Sequence, residues 1–417
     1  MPPETVPYAV PEAVSGAVPR AVPDAVSGAV SDGVPGAVSG AGPGRVSELG
    51  RRVEAATPAG RDRGLDALRA LAIGGVVLGH WLVTALVVDS GAMRVASPLR
   101  TMPYLAPASW ISQTMAVFFL VGGQLAARSH ACARARDVTY RRWLGMRLAR
   151  LFRPVTAVLT VWTLAAAVML ALGADLATVY ALAKLVWSPL WFLLVFGALT
   201  ALTPLVARLR PAWPLATVAL ADLVRFGLGG PAWTGWVNLA AGWLVPYCLG
   251  AAWARGRLRS RTAGWASLLG GAAATAALVL WARYPAAMVG VPGAPVSNLS
   301  PPTLAAVTFG LAQCGAALLL LGPLRRALSR PAAWTVVALA NLSAMTIFLW
   351  HQTAMIMVTA LGLLAGRALP GLHTVPDGPG WVFARLAWLP AFALALLVCL
   401  AAFHARERPP RGGGRPG

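Results

Sequence analysis

The residues from Leu68 to Val88 read LRALAIGGVVLGHWLVTALVV, and this stretch decides the fold. Past Arg69 its one ionisable side chain is His80. A bilayer core takes about 20 apolar residues to cross. Hydrocarbon offers no water to the backbone, so a crossing segment must satisfy its own amides as a helix. Residues 1–67 hold no apolar core of the kind a signal peptide needs. The run after Arg69 is therefore expected to act as an uncleaved signal-anchor.

Nine further apolar segments follow, near 108–127, 154–173, 187–207, 213–229, 236–254, 264–282, 303–322, 335–364 and 382–404. Asp222 and Arg225 interrupt the fifth of the ten, and the stretch 175–189 reads as a short lead-in or re-entrant helix. Composition agrees. The chain is 58% hydrophobic and 12% charged, with a mean hydropathy of +0.66. Soluble domains run at roughly 45–50% apolar and about 25% charged. The pattern predicts an all-α, polytopic integral membrane helix bundle of about ten transmembrane helices.

A net charge of +21 suits a nucleic-acid binder in magnitude, but not in placement. The basic residues cluster between apolar runs, and alternate loops are rich and poor in them. Loop 128–153 holds eight arginines, and loop 255–263 holds Arg255, Arg257, Arg259 and Arg261. Arg325, Arg326 and Arg330 follow the eighth segment, and Arg208 and Arg210 follow the fourth. The opposite loops carry one or two basic residues each, among them Lys184, the only lysine in the chain. By the positive-inside rule this alternation places both termini in the cytoplasm and requires an even number of spans.

Outside the spans, Ala-Val recurs with a period of four across residues 9–38, interleaved with Pro, Ser, Gly and Asp. Such composition blocks helix and sheet alike. The expected organisation is a disordered tail over 1–62, a membrane domain over 63–405 and a disordered basic tail over 406–417. Cys132, Cys248, Cys314 and Cys399 form no CxxC pair, and no histidine has HxxxH or HxxE spacing. Neither a disulfide framework nor a metal site is expected.

An ionisable side chain inside a span is costly and calls for a role. His80 lies eleven residues beyond Arg69, about 16 Å along a helix and on a similar face. That depth is near mid-bilayer. An imidazole there can take a proton from a hydroxyl near neutral pH, or it can bond a neighbouring helix. His351, in NLSAMTIFLWHQTAMIM, is a second intramembrane imidazole, suited to assisting proton transfer, binding an acceptor hydroxyl or holding the bundle together. His130, His373 and His404 sit at helix ends or in a loop, where an ordinary structural role suffices. In RRWLGMRLARLFRPV, residues 141–155, Arg147, Arg150 and Arg153 recur every three residues. A row of guanidinium groups at a membrane mouth suits phosphates. On charge alone it suits topology control and anionic headgroups slightly better.

These same residues resemble the membrane acyltransferase family called acyltransferase-3, whose members include bacterial sugar O-acetylases and macrolide acyltransferases. Its opening motif, an Arg (or Lys), ten residues and a His in the first span, matches Arg69 and His80, with Arg63, Leu65, Asp66 and Leu68 upstream. Phe118 to Gly123 resembles its FF-hydrophobic-SG block, with Gly122 for Ser. Arg147 and Arg150 resemble its RxxR signature. Pro189 to Leu193 resembles its LWFL block. Ser343 to His351 resembles its late block, with Phe348 for Tyr. The likeness covers roughly residues 63–404.

The resemblance implies an acyl-CoA donor that enters from the cytoplasm, with Arg147 and Arg150 near its phosphates. It implies His80 as catalytic base and Arg69 as its positioning or donor-binding partner. His351 is the candidate third member, on the acceptor side. The expected reaction moves an acyl group, acetyl first, from acyl-CoA to a hydroxyl of an envelope saccharide or a natural product. The expected place is the bacterial plasma membrane. Two other classes fit the same topology: a secondary transporter, and a carrier of acyl groups or glycolipids without catalysis.

Overall fold

The structure is a computed structural model that describes residues 43–89, 92–258 and 260–403. The Ala-Val repeat at 9–38, Arg259, His404 and the tail from Arg406 lie outside the described residues. The chain divides into two compact units at Asp62. The described part of the first holds one helix, Pro43–Ala55, where the sequence reading expects a tail without structure. Glu48 pairs there with Arg51 and Arg52, at the three- and four-residue spacing that supports a helix.

The second unit is a bundle of helices. Among the described residues nine are long and apolar enough to cross a membrane: Arg63–Val83, Pro103–Arg134, Tyr140–Ala171, Leu176–Ala201, Ala232–Ala254, Arg261–Leu280, Leu304–Ala327, Ala344–Leu363 and Pro379–Phe403. The protein is thus a multi-pass membrane protein, with large apolar side chains such as Leu71, Leu164, Leu194 and Leu394 exposed on its outside.

The remaining expected span, 213–229, is shorter than predicted: eleven residues of α-helix, Ala212–Asp222, run into a five-residue π-turn, Leu223–Gly227. Asp222 is the reason. It is buried, and its carboxylate accepts from Asn238 Nδ2 at 2.8 Å, Tyr284 OH at 3.0 Å and the Leu304 N–H at 2.7 Å. It ties three segments together, so it sits inside the protein and not against lipid.

Other boundaries also move. The segment expected at 335–364 is two helices, Pro331–Leu342 and Ala344–Leu363, broken at Ser343. The arginine row belongs to one continuous helix, Tyr140–Ala171, with Pro154 inside it. The lead-in at 175–189 is the helix Leu176–Trp187, followed after Ser188-Pro189 by Leu190–Ala201.

The helix that carries His80 is fixed at both ends. At its start Asp62 accepts from the Gly64 and Leu65 N–H groups and from Arg325, at 3.0 Å from Nε and 2.6 Å from Nη2. Its end falls at Val83, five residues earlier than predicted. The β-branched run beyond it forms an antiparallel hairpin, Ala85–Asp89 with Ala92–Ala96. Arg385 seals the junction. Its guanidinium, 1% exposed, donates to Trp81 O at 2.7 Å, Thr84 O at 2.7 Å and Gly371 O at 2.9 Å. Helix ends leave carbonyls without partners, and a cation there satisfies them in charge and in hydrogen bonding.

A close crossing sets the centre of the bundle. A Cβ at Gly123 would lie 2.2 Å from Tyr247 O, and one at Gly250 would lie 2.0 Å from Leu120 O. Only glycine lets Met115–Arg134 and Val237–Ala254 approach this closely. Phe119, stacked on Trp243 at 5.1 Å, and Phe192 fill the space beside the crossing.

Candidate active site

His80 and Gln352 face each other across two helices, Arg63–Val83 and Ala344–Leu363. Gln352 Nε2 lies 2.9 Å from His80 Nδ1. Gln352 Oε1 is buried with no hydrogen-bond partner among the described residues. A half-turn of the amide exchanges these two atoms. With the oxygen towards the ring, His80 Nδ1–H donates to it and the Nε2 lone pair is free to accept a proton. With the nitrogen towards the ring, Gln352 donates to Nδ1 and Nε2 carries the proton instead, so the amide orientation and the His80 tautomer are tied together.

His351 stands behind this pair. Its ring centroid is 5.0 Å from that of His80, tilted by 45°. Its Nδ1–H donates to Phe348 O at 2.6 Å, which leaves Nε2 as an acceptor. That Nε2 is buried without a partner among the described residues. Trp81 Nε1–H donates to the His351 carbonyl at 2.9 Å, so the residue after His80 also bonds the His351 helix.

His80 and Gln352 open onto a cavity of about 650 Å³. Its wall is mostly apolar. Ile73, Val76 and Gly79 continue the His80 side, and Thr84, Val95 and Ala96 extend it into the hairpin. Four of the five motif blocks meet here: His80, then Phe118, then Pro189, Trp191 and Phe192, then Phe348 with Gln352. His351 is fully buried and does not line the cavity. A site of this size and character accommodates a small organic molecule.

The arginines form a second group. Arg147 is within electrostatic reach of both Arg150 and Arg69, so two helices bring three guanidinium groups together. Arg147 also donates to Leu125 O at 3.0 Å and lies 5.8 Å over the Trp143 ring. None of the three lines the cavity. The nearest wall residue on the same helix is Ile73, one turn from Arg69, or about 6 Å along the axis. The expected arrangement, with His80 and the arginines on one opening, is thus two neighbouring features.

Both departures from the motifs have local causes. A Cβ at Gly122 would lie 2.3 Å from Phe196 Cε2, so the Phe196 ring occupies the space a serine would need. Phe348 lies 5.6 Å from Phe192 in the cavity wall and presents no hydroxyl there. Among the remaining histidines, His373 is buried. It accepts from the Leu369 N–H at 3.1 Å and donates to Thr359 O at 2.8 Å, which is a loop anchor.

His80 stands out in the sequence as an imidazole inside a span, whereas the contacts of Gln352 and Arg385 do not. Gln352 is one residue past the motif histidine, and its adjacency was the only signal. Arg385 sits in a strongly apolar run, and an arginine there is itself a signal of a buried partner.

Comparison with curated proteins and with solved structures gave no match. A family model described as an acyltransferase domain matches residues 62–404, from the Asp62 cap to the end of the last helix. With that match over most of the chain, and four of its motif blocks lining one cavity, the protein belongs to the acyltransferase-3 family of membrane acyltransferases.

Proposed function

We propose that the protein transfers an acyl group, acetyl first, from acyl-CoA to the hydroxyl of a saccharide or a related envelope or natural-product acceptor. The observation that carries this reading is His80 at the wall of a 650 Å³ cavity, with Nδ1 held by Gln352. His80 Nε2 takes the acceptor's hydroxyl proton as the oxygen attacks the thioester carbonyl. The C–O bond forms, the C–S bond breaks, and the thiolate leaves with the proton that His80 carries.

Arg69, Arg147 and Arg150 supply the charge that phosphates of a CoA head require. The pantetheine arm would then cover the single helical turn between Arg69 and the cavity wall at Ile73. By the positive-inside rule the arginines face the cytoplasm. The cavity wall draws on the hairpin and on the 284–303 segment, which lie on the opposite side in that topology. Donor from inside and acceptor from outside is the reading these positions favour, in the plasma membrane of a bacterium, with the short 212–227 segment as the tenth crossing that returns both chain ends to the cytoplasm.

Proteoliposomes with labelled acetyl-CoA test it. Label should pass to a saccharide acceptor only with donor on the arginine side. Arg147→Ala and Arg150→Ala should raise the donor KM at least about ten-fold, the loss of one or two charge-assisted hydrogen bonds. Transport of the donor without its consumption would contradict the reading.

A further inference from the structure

The cavity wall contains no carboxylate and one permanent charge, Lys184. Lys184 is the only lysine in the chain, against 34 arginines among the 35 basic residues. Its side chain is exposed, with Nζ 5.5 Å over the ring of Tyr180, which lines the same cavity. It makes no ion pair among the described residues. A second cation stands beside the wall. The Arg100 guanidinium packs against Gly293, next to the wall residue Pro292, where a Cβ on Gly293 would lie 2.8 Å from Nη1. Among the described residues the opening therefore presents positive charge with no carboxylate in its wall, over a mostly apolar lining.

We propose that the acceptor is an anion: a hydroxylated molecule that bears a phosphate or a carboxylate, held by Lys184 while its hydroxyl reaches His80. This rests on the acyl-transfer reading of the cavity. An ammonium is a compact charge on a flexible stem, able to follow a phosphate or carboxylate as the hydroxyl is placed. A cationic acceptor meets only like charge at this opening. The same chemistry is available from a soluble sugar phosphate or sugar acid, and from an anionic lipid headgroup with free hydroxyls.

The test is binding to the purified full-length protein in phosphatidylcholine nanodiscs, with no donor present. Glucose 6-phosphate and glucuronate should bind about ten-fold more tightly than glucose, the worth of one charge-assisted contact. Lys184→Gln should bring that ratio close to one, and Lys184→Arg should keep most of it. In a parallel arm, nanodiscs containing phosphatidylglycerol should raise the unfolding temperature in a Lys184-dependent way if the anion is a headgroup. Lys184-dependent binding in either arm supports the proposal and assigns the source. Equal binding of glucose and its anionic partners, no binding of any probe, or a preference that survives Lys184→Gln with no Lys184-dependent lipid effect overturns it. Because no donor is used, the two readings fail separately: Lys184-dependent anion binding by a protein that fails to transfer acyl groups would sink the enzymatic reading and leave an anion site at Lys184 without its role as acceptor site.

Discussion

Arg385 donates to the carbonyls of Trp81 and Thr84, both at 2.7 Å, and so grips the end of the helix that carries His80, from the residue next to it to the cap. It is buried with no carboxylate beside it in these contacts, so its charge is compensated by backbone dipoles. Arg385→Leu leaves three carbonyls without their donor, at about 1–3 kcal/mol for each group left unsatisfied. The thermal unfolding midpoint in detergent should fall by many degrees. Arg385→Lys should recover part of the loss, since an ammonium reaches fewer of the three. An unchanged midpoint in Arg385→Leu would show that the junction is held by other contacts.

The role proposed for Gln352, fixing the tautomer of His80, predicts that its loss acts on turnover and not on donor binding. Gln352→Ala should lower kcat about ten-fold or more while donor KM stays within two-fold, a pattern expected when an interaction made in the transition state is removed. The pH profile of kcat should shift with it. Equal loss in kcat and gain in KM would place Gln352 in substrate binding instead.

Gly122 stands where the family's usual residue is serine. Gly122→Ser drives a Cβ into Phe196, and overpacking of this kind costs roughly 1–3 kcal/mol. The double variant Gly122→Ser, Phe196→Leu should regain much of that stability, because the smaller side chain vacates the space. Additive losses in the double variant would show the two sites to be independent.

Asp62 caps the His80 helix and pairs with Arg325. Burial opposes its ionisation, but the hydrogen bonds and charge of Arg325, with the Leu65 and Gly64 N–H groups, hold its carboxyl below the usual value. A depressed carboxylate stabilises the fold at pH above its unfolded value, and this contribution fades as pH falls through the folded one. Asp62→Ala should cost about 1 kcal/mol near neutral pH. The difference from the parent should close as pH falls below about 4, by the same linkage. A difference that is constant across pH would remove the charge from the account.

Much of this was legible in the sequence because lipid imposes one pattern: long apolar helices with charge at their ends. The same rule explains where the reading strayed. Asp222 looked like an interruption of a span because sequence cannot show that Asn238, Tyr284 and Leu304 converge on it. The apolar run through Val88 looked helical because a hydrophobicity count does not distinguish a buried β-hairpin from a helix. His80 was identifiable as the lone ionisable group in its run. Its surroundings were not, since Gln352 and Arg385 come from helices more than 270 residues away, and tertiary packing alone brings Gln352 to His80 and Arg385 to the neighbouring Trp81 carbonyl. His351, expected beside the acceptor, packs behind His80 with its ring closed off from the cavity, a position that motif order alone could not reveal.

The role proposed for His80 is that of the base in an acyl transfer. It is tested most directly by release of free CoA thiol from acetyl-CoA, with a cell-envelope extract as acceptor, by parent and His80→Ala proteins at matched folding. General-base catalysis contributes about 10²–10⁴-fold. A loss of that size, with the unfolding midpoint preserved, is the predicted result. Thiol release by His80→Ala within a few-fold of the parent would contradict it.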